Sequence, residues 1–140
     1  MVKPDRESLL TCLHIGRWAD ALAGHPFDTM LGLERSAVAA ATPLTEAEVN
    51  EALAAHPRID DAPASADAEL ARRLAEGNVA YESSRGHAFV IRGEGRTTEE
   101  IVTELERRLE NDPAAELAEI ANQLRGIALL RLRELYAAQF

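Results

Sequence analysis

The chain has 140 residues, 46% of them hydrophobic and 28% charged, and carries a formal net charge of −9. That length and balance suit one globular domain, 1–140, with a core of its own. The acidic charge, with no run of Lys or Arg in the sequence, excludes the basic footprint that nucleic acids and anionic membrane surfaces require.

Aromatics make up 4% of the chain, so Ala, Leu, Ile and Val must fill the core, which favours helices over a sandwich or barrel. Met1–Arg6 is charged and no apolar h-region follows, and no apolar run reaches the length of a membrane span. The single cysteine, Cys12, reads as a small buried hydrophobe of a soluble, cytoplasmic protein. Pro4 and Asp5 predict a helix start, with a short apolar turn over Ser8–Leu13 that Gly16 interrupts. Trp18 and Leu22 share a helix face, Gly24–His25–Pro26 breaks the chain, and Phe27, Met30, Leu31 and Leu33 begin the next helical segment. Thr45 and Glu48 form a capping box, opening a helix that turns Val49, Leu53 and Ala52 inward and stops at His56–Pro57.

Arg58 to Ala66 reads as loop. Ser65 or Asp67 caps a helix that places Leu70, Leu74, Asn78 and Tyr81 inward and fails near Ser83–Gly86. His87–Arg92, with Phe89, Val90 and Ile91 at its centre, has strand character but is too short to make a sheet. Its backbone groups need partners, either a ligand or neighbouring loops. Gly93 and Gly95 give a turn, and Thr97 with Glu100 gives a second capping box before Ile101, Leu105 and Leu109. Asp112 and Pro113 are N-cap and N1 of a last helix running to about Ala138. Gly126 inside it costs about 1 kcal/mol against alanine. The predicted fold is therefore all-α, a single-domain helical bundle with a short extended segment near 88–92.

Two residues stand out as candidates for a site. Pro57 pushes His56 out of helical geometry and fixes where its imidazole is held, although a plain helix stop explains the step as well. Arg131 falls at i+4 from Ile127 and i+7 from Leu124, in the apolar stripe of Leu117, Ile120, Leu124, Ile127, Ala128 and Leu135. An inward guanidinium needs a partner: a ligand carboxylate, a buried glutamate, or water reached by snorkelling. Arg125 and Arg133 lie off the stripe and read as surface. No HxxxH or CxxC spacing points to a metal, and no GxSxG, P-loop or GxGxxG is present.

These features, in order, resemble the 2-oxo-4-hydroxy-4-carboxy-5-ureidoimidazoline (OHCU) decarboxylase family. The matching residues are Arg17–Trp18–Ala19, Pro26–Phe27, Ala55–His56–Pro57–Arg58–Ile59, Asn78–Val79–Ala80–Tyr81, Gly86 and Phe89–Val90–Ile91. They continue through Gly95–Arg96–Thr97, the Ile101 to Leu109 helix, Asn111–Asp112 and Ile127 to Leu132. The resemblance implies an all-α decarboxylase that forms (S)-allantoin in urate catabolism without cofactor or metal, acting on a small ureidoimidazoline carboxylate. It also implies His56 as the catalytic histidine, held by Pro57, with Arg131 and the backbone of Phe89, Val90 and Ile91 binding substrate. Family members are often dimers, so a homodimer is the implied assembly.

The sequence also departs from the family pattern. The Ser-x-x-Glu-Gln motif that follows the His-Pro loop in the family has no counterpart, and the Asp60–Asp67 segment is short. Asp60 stands where a glycine is usual, Arg85 where an aromatic precedes Gly86, and His14–Ile15 where the family has Gly-Ser. Two further readings follow: a catalytically impaired shortened form that keeps the fold and a purine-derived ligand pocket, and a helical interaction module with no small-molecule site.

Overall fold

The computed structural model describes residues 1–55, 67–92 and 95–140. The predicted helix stop at His56–Pro57, the loop over Arg58–Ala66 and the turn residue Gly93 lie outside the described residues. Helices dominate the rest: α1 (Arg6–Cys12), α2 (Gly16–Leu22), α3 (Met30–Ala40), α4 (Glu46–Ala55), α5 (Ala68–Arg85), α6 (Thr98–Leu109) and α7 (Pro113–Tyr136), with a closing 3-10 turn at Ala137–Gln139. The class is all-α, as the sequence predicts. The chain divides into two compact units, Met1–Ala55 with Ala121–Phe140, and His56–Ile120.

In the first unit the short helices depend on partners outside themselves. Asp5 caps α1 by accepting from the Ser8 N–H at 2.9 Å. Helix α2 has no capping side chain of its own, because Ile15 occupies the N-cap. Glu51 of α4 takes that role, its carboxylate accepting the Gly16 N–H at 2.9 Å. Gly16 therefore opens a helix rather than interrupting one. The predicted helix start at Phe27 is also corrected: Phe27 pairs with Val2 in an isolated antiparallel bridge, and α3 begins at Met30 behind a Thr29 cap. Thr29 was the overlooked signal, an N-cap residue three positions before Gly32.

Trp18, Leu9, Ile15, Leu33 and Val49 are fully buried, and the Trp18 indole donates to the Ala37 carbonyl at 2.9 Å. Val49 and Ala52 carry the inward face of α4, with Leu53 only half-buried. From α7 this unit takes Ala121, Leu124, Ile127, Ala128, Leu132 and Tyr136, all buried. The predicted stripe is thus shifted at its end. Leu135 is 41% exposed, while Leu132 and Tyr136 continue the i, i+4 row from Leu124 and Ala128.

The second unit is built on α5 and α6. Leu74, Tyr81, Phe89, Ile91, Val102 and Leu105 form its core. Asp67 caps α5, accepting from Leu70 N–H at 2.8 Å, and Gly86 ends it at φ +80°, a left-handed conformation that glycine tolerates. The Thr97–Glu100 capping box opens α6 as predicted. The two helices approach closely at Gly77, where an added Cβ would stand 2.7 Å from Leu105 Cδ2. Ile101 and Leu109 flank this core half-buried, so Val102 and Leu105 hold the centre of the α6 face; Leu70 of α5 is half-buried.

Candidate active site

Residues 88–92 lie outside any helix or strand and belong to the second unit. Phe89, Val90 and Ile91 are all buried. The Phe89 ring meets Tyr81 edge-on at 5.2 Å between centroids. One backbone partner is internal: the Val90 carbonyl accepts from Arg108 Nη1 at 2.5 Å. That donor is an α6 side chain, neither the ligand nor the neighbouring loop that the sequence suggests.

Arg108 belongs to a buried polar group that the sequence reading missed. Its Nε and Nη2 both donate to Glu116 Oε1, the former at 2.8 Å. The Tyr81 hydroxyl donates to the same oxygen at 2.6 Å, and Asn111 Nδ2 donates to Glu116 Oε2 at 3.2 Å. Arg108 and Glu116 are 0% and 2% exposed, so both charges are shielded from water. Burial, then the bond to Glu116, pushes the Tyr81 phenol well above its ordinary pKa, which keeps it a donor. A signal existed. Arg108 lies at i+3 from Leu105 and i+7 from Ile101, and Glu116 lies at i−4 from Ile120. Opposite charges on two consecutive apolar faces mark a buried pair.

Arg131 belongs to the first unit. It is half-buried rather than fully inward, and its Nη1 donates to the Thr11 carbonyl at 3.2 Å. Ile127, Arg131 and Leu135 form one i, i+4 row along which exposure rises, so Arg131 sits on the rim of the stripe. A guanidinium has five N–H donors, and one bond to a carbonyl leaves capacity for a carboxylate. Arg125 is not simple surface: it donates to the Ala41 carbonyl at 2.9 Å and to Asn122. Arg133 is exposed and paired with Glu34 at 2.7 Å. His56 and Pro57 lie outside the described residues. The first unit also has an open, mostly apolar groove of about 500 Å³ along Leu31, Val38, Ala39 and Leu129, which includes none of the predicted site residues. Among the described residues no cluster of His, Cys, Asp or Glu could hold a metal.

The OHCU decarboxylase family model matches residues 5–133. The chain belongs to that family. A crystal structure of OHCU decarboxylase in the presence of (S)-allantoin is 27% identical, with a TM-score of 0.83, covering 96% of this chain and 99% of that one. The structure of (S)-allantoin synthase matches at 22% identity and a TM-score of 0.77, over 92% of this chain and 48% of that one, a likeness of fold. The Arabidopsis thaliana uric acid degradation bifunctional protein TTL is 34% identical over 107 residues, 62% of this chain. The chain spans about a third of that relative's length, 33%.

Proposed function

We propose that this chain decarboxylates 2-oxo-4-hydroxy-4-carboxy-5-ureidoimidazoline to (S)-allantoin in urate degradation. The observation that carries the reading is the 27% identical OHCU decarboxylase structure, aligned over 96% of this chain. The reaction breaks one C–C bond. CO2 leaves, and its bonding pair forms a double bond to the adjacent ureido-bearing carbon while the ring C=N pair moves onto nitrogen, which takes a proton. The hydroxyl on the carbon that lost CO2 then gives up its proton to become a carbonyl, and the ureido-bearing carbon takes a proton on one face. Such a step needs an oriented acid and donors aimed where charge develops.

In this reading His56 delivers the proton, and Pro57 holds its imidazole. A histidine near its ordinary pKa of about 6.5 suits transfer in both directions. Arg131 pairs with the substrate carboxylate, and the backbone of Phe89, Val90 and Ile91 binds the polar ring. No metal or cofactor is assigned a step. Residues 1–140 are read as one domain, which the family match through both compact units supports. The cytoplasm is the proposed compartment, supported by a buried free cysteine and by described helices too short or too polar to cross a membrane. A homodimer is the proposed assembly, to be read by light scattering.

Fresh substrate, made from urate by the two preceding enzymes, tests the activity. The expected result is faster CO2 loss with (S)-allantoin in excess. His56→Gln is expected to lower the rate about 100-fold with an unchanged circular dichroism spectrum. A spontaneous rate with racemic product in the wild-type chain would overturn the proposal. That outcome would favour the shortened, ligand-binding form, since the Ser-x-x-Glu-Gln motif is missing.

A further inference from the structure

We infer that Arg108, held by Glu116 and Tyr81, is a positioning residue that aims the peptide between Val90 and Ile91 at the substrate. The inference rests on the reading of the 89–91 backbone as a substrate contact. Two N–H groups of the Arg108 guanidinium go to Glu116 Oε1, a third donates to the Val90 carbonyl at 2.5 Å, and its face lies over the Phe89 ring at 4.5 Å. Arg108 thus holds the segment at two consecutive residues, one through its backbone and one through its ring. Glu116 cannot swing away, because Tyr81 and Asn111 also hold its two oxygens.

In a trans peptide the carbonyl of one residue and the N–H of the next point in opposite directions. Pinning the Val90 carbonyl toward Arg108 therefore turns the Ile91 N–H to the opposite side. A donor fixed in this way needs no reorganisation when a polar ring meets it. Stability alone does not account for the arrangement. Buried ion pairs can often be replaced by apolar groups of similar volume without loss of stability. What an apolar replacement cannot do is orient a carbonyl.

The test compares the wild type with Tyr81→Phe/Arg108→Met/Glu116→Leu, which replaces the buried polar group by apolar side chains of similar size. The triple variant is expected to remain folded by circular dichroism. Its kcat/KM for the ureidoimidazoline is expected to fall about 10- to 100-fold, carried mainly by KM. A purely structural role would instead lower kcat in proportion to the folded fraction and leave KM alone. Active wild type with a folded triple variant at wild-type KM overturns this inference and leaves the decarboxylase reading standing. A wild type that does not speed the reaction overturns both. Should the triple variant fail to fold, Tyr81→Phe decides, because it deletes only one hydroxyl that holds Glu116. A KM raised about 3-fold in that folded variant supports the inference, and an unchanged KM overturns it.

Discussion

Arg108 shows how much a single buried charge constrains its surroundings. With 0% exposure it cannot fall back on water, so each N–H needs a protein acceptor. Truncating it alone, Arg108→Ala, leaves Glu116 buried without its cation. We expect a loss of about 3–5 kcal/mol in urea unfolding. The apolar triple replacement should lose less, about 1–3 kcal/mol for the Val90 carbonyl left without its donor, and the contrast between the two separates cost of burial from value of the pair. Cys12 is the opposite kind of residue, inert because of its burial. Its thiol is 1% exposed, and burial pushes its pKa up to about 11. At neutral pH it is protonated and shielded, so a thiol reagent should label it slowly in the native protein and within the mixing time in urea.

Helix ends carry much of the specification at the scale of elements. Thr97 and Glu100 satisfy each other's backbone N–H groups at 3.1 Å, both ways. Thr97→Ala should cost about 1 kcal/mol, read as a shifted urea midpoint with unchanged slope. The α5–α6 contact is set by a missing side chain. Gly77 lets Leu105 approach within a distance no Cβ would allow. Gly77→Val should therefore destabilise by about 1–3 kcal/mol through overpacking. Leu105→Ala in the same chain should restore part of that loss, and a double-mutant cycle measures the coupling. Arg85 serves a third end: it donates to the carbonyls of Arg108 and Asn111 at 3.0 and 2.7 Å, covering the C-terminus of α6. The arginine that replaces the family's usual aromatic before Gly86 has found structural work, and it also lies over the Tyr81 ring at 5.8 Å.

For the molecule as a whole, the acidic charge is organised by arginines. Hydrogen bonds from Arg133, Arg17, Arg107, Arg73 and again Arg107 hold Glu34, Glu48, Glu104, Glu106 and Glu119 below the ordinary value of 4.5. A carboxylate whose folded pKa is depressed contributes stability above its unfolded pKa, and loses that contribution as pH falls through the folded pKa. The melting temperature should therefore be level from pH 7 to about 5 and decline below about 4.5. Because these pairs are only part-buried and in contact with solvent, the decline should be shallow and should weaken further in about 1 M salt.

The sequence alone determined the helical class, both capping boxes, the Asp112–Pro113 restart and the family. These depend on local chemistry: a cap needs a side chain three residues from an N–H, and a family match needs residues in order. Where the partner came from elsewhere in the chain, the same local logic failed. Gly16 looked like a break because Glu51, the carboxylate that caps α2, lies 35 positions away. Phe27 looked helical because its bridge partner is Val2. Arg131, singled out by periodicity, proved a rim residue. Arg108 and Glu116, with the same periodic signal, proved fully buried. Periodicity names a face but not its centre. Only packing decided which arginine lost its water, because desolvation depends on what covers a side chain rather than on its place in the helical repeat.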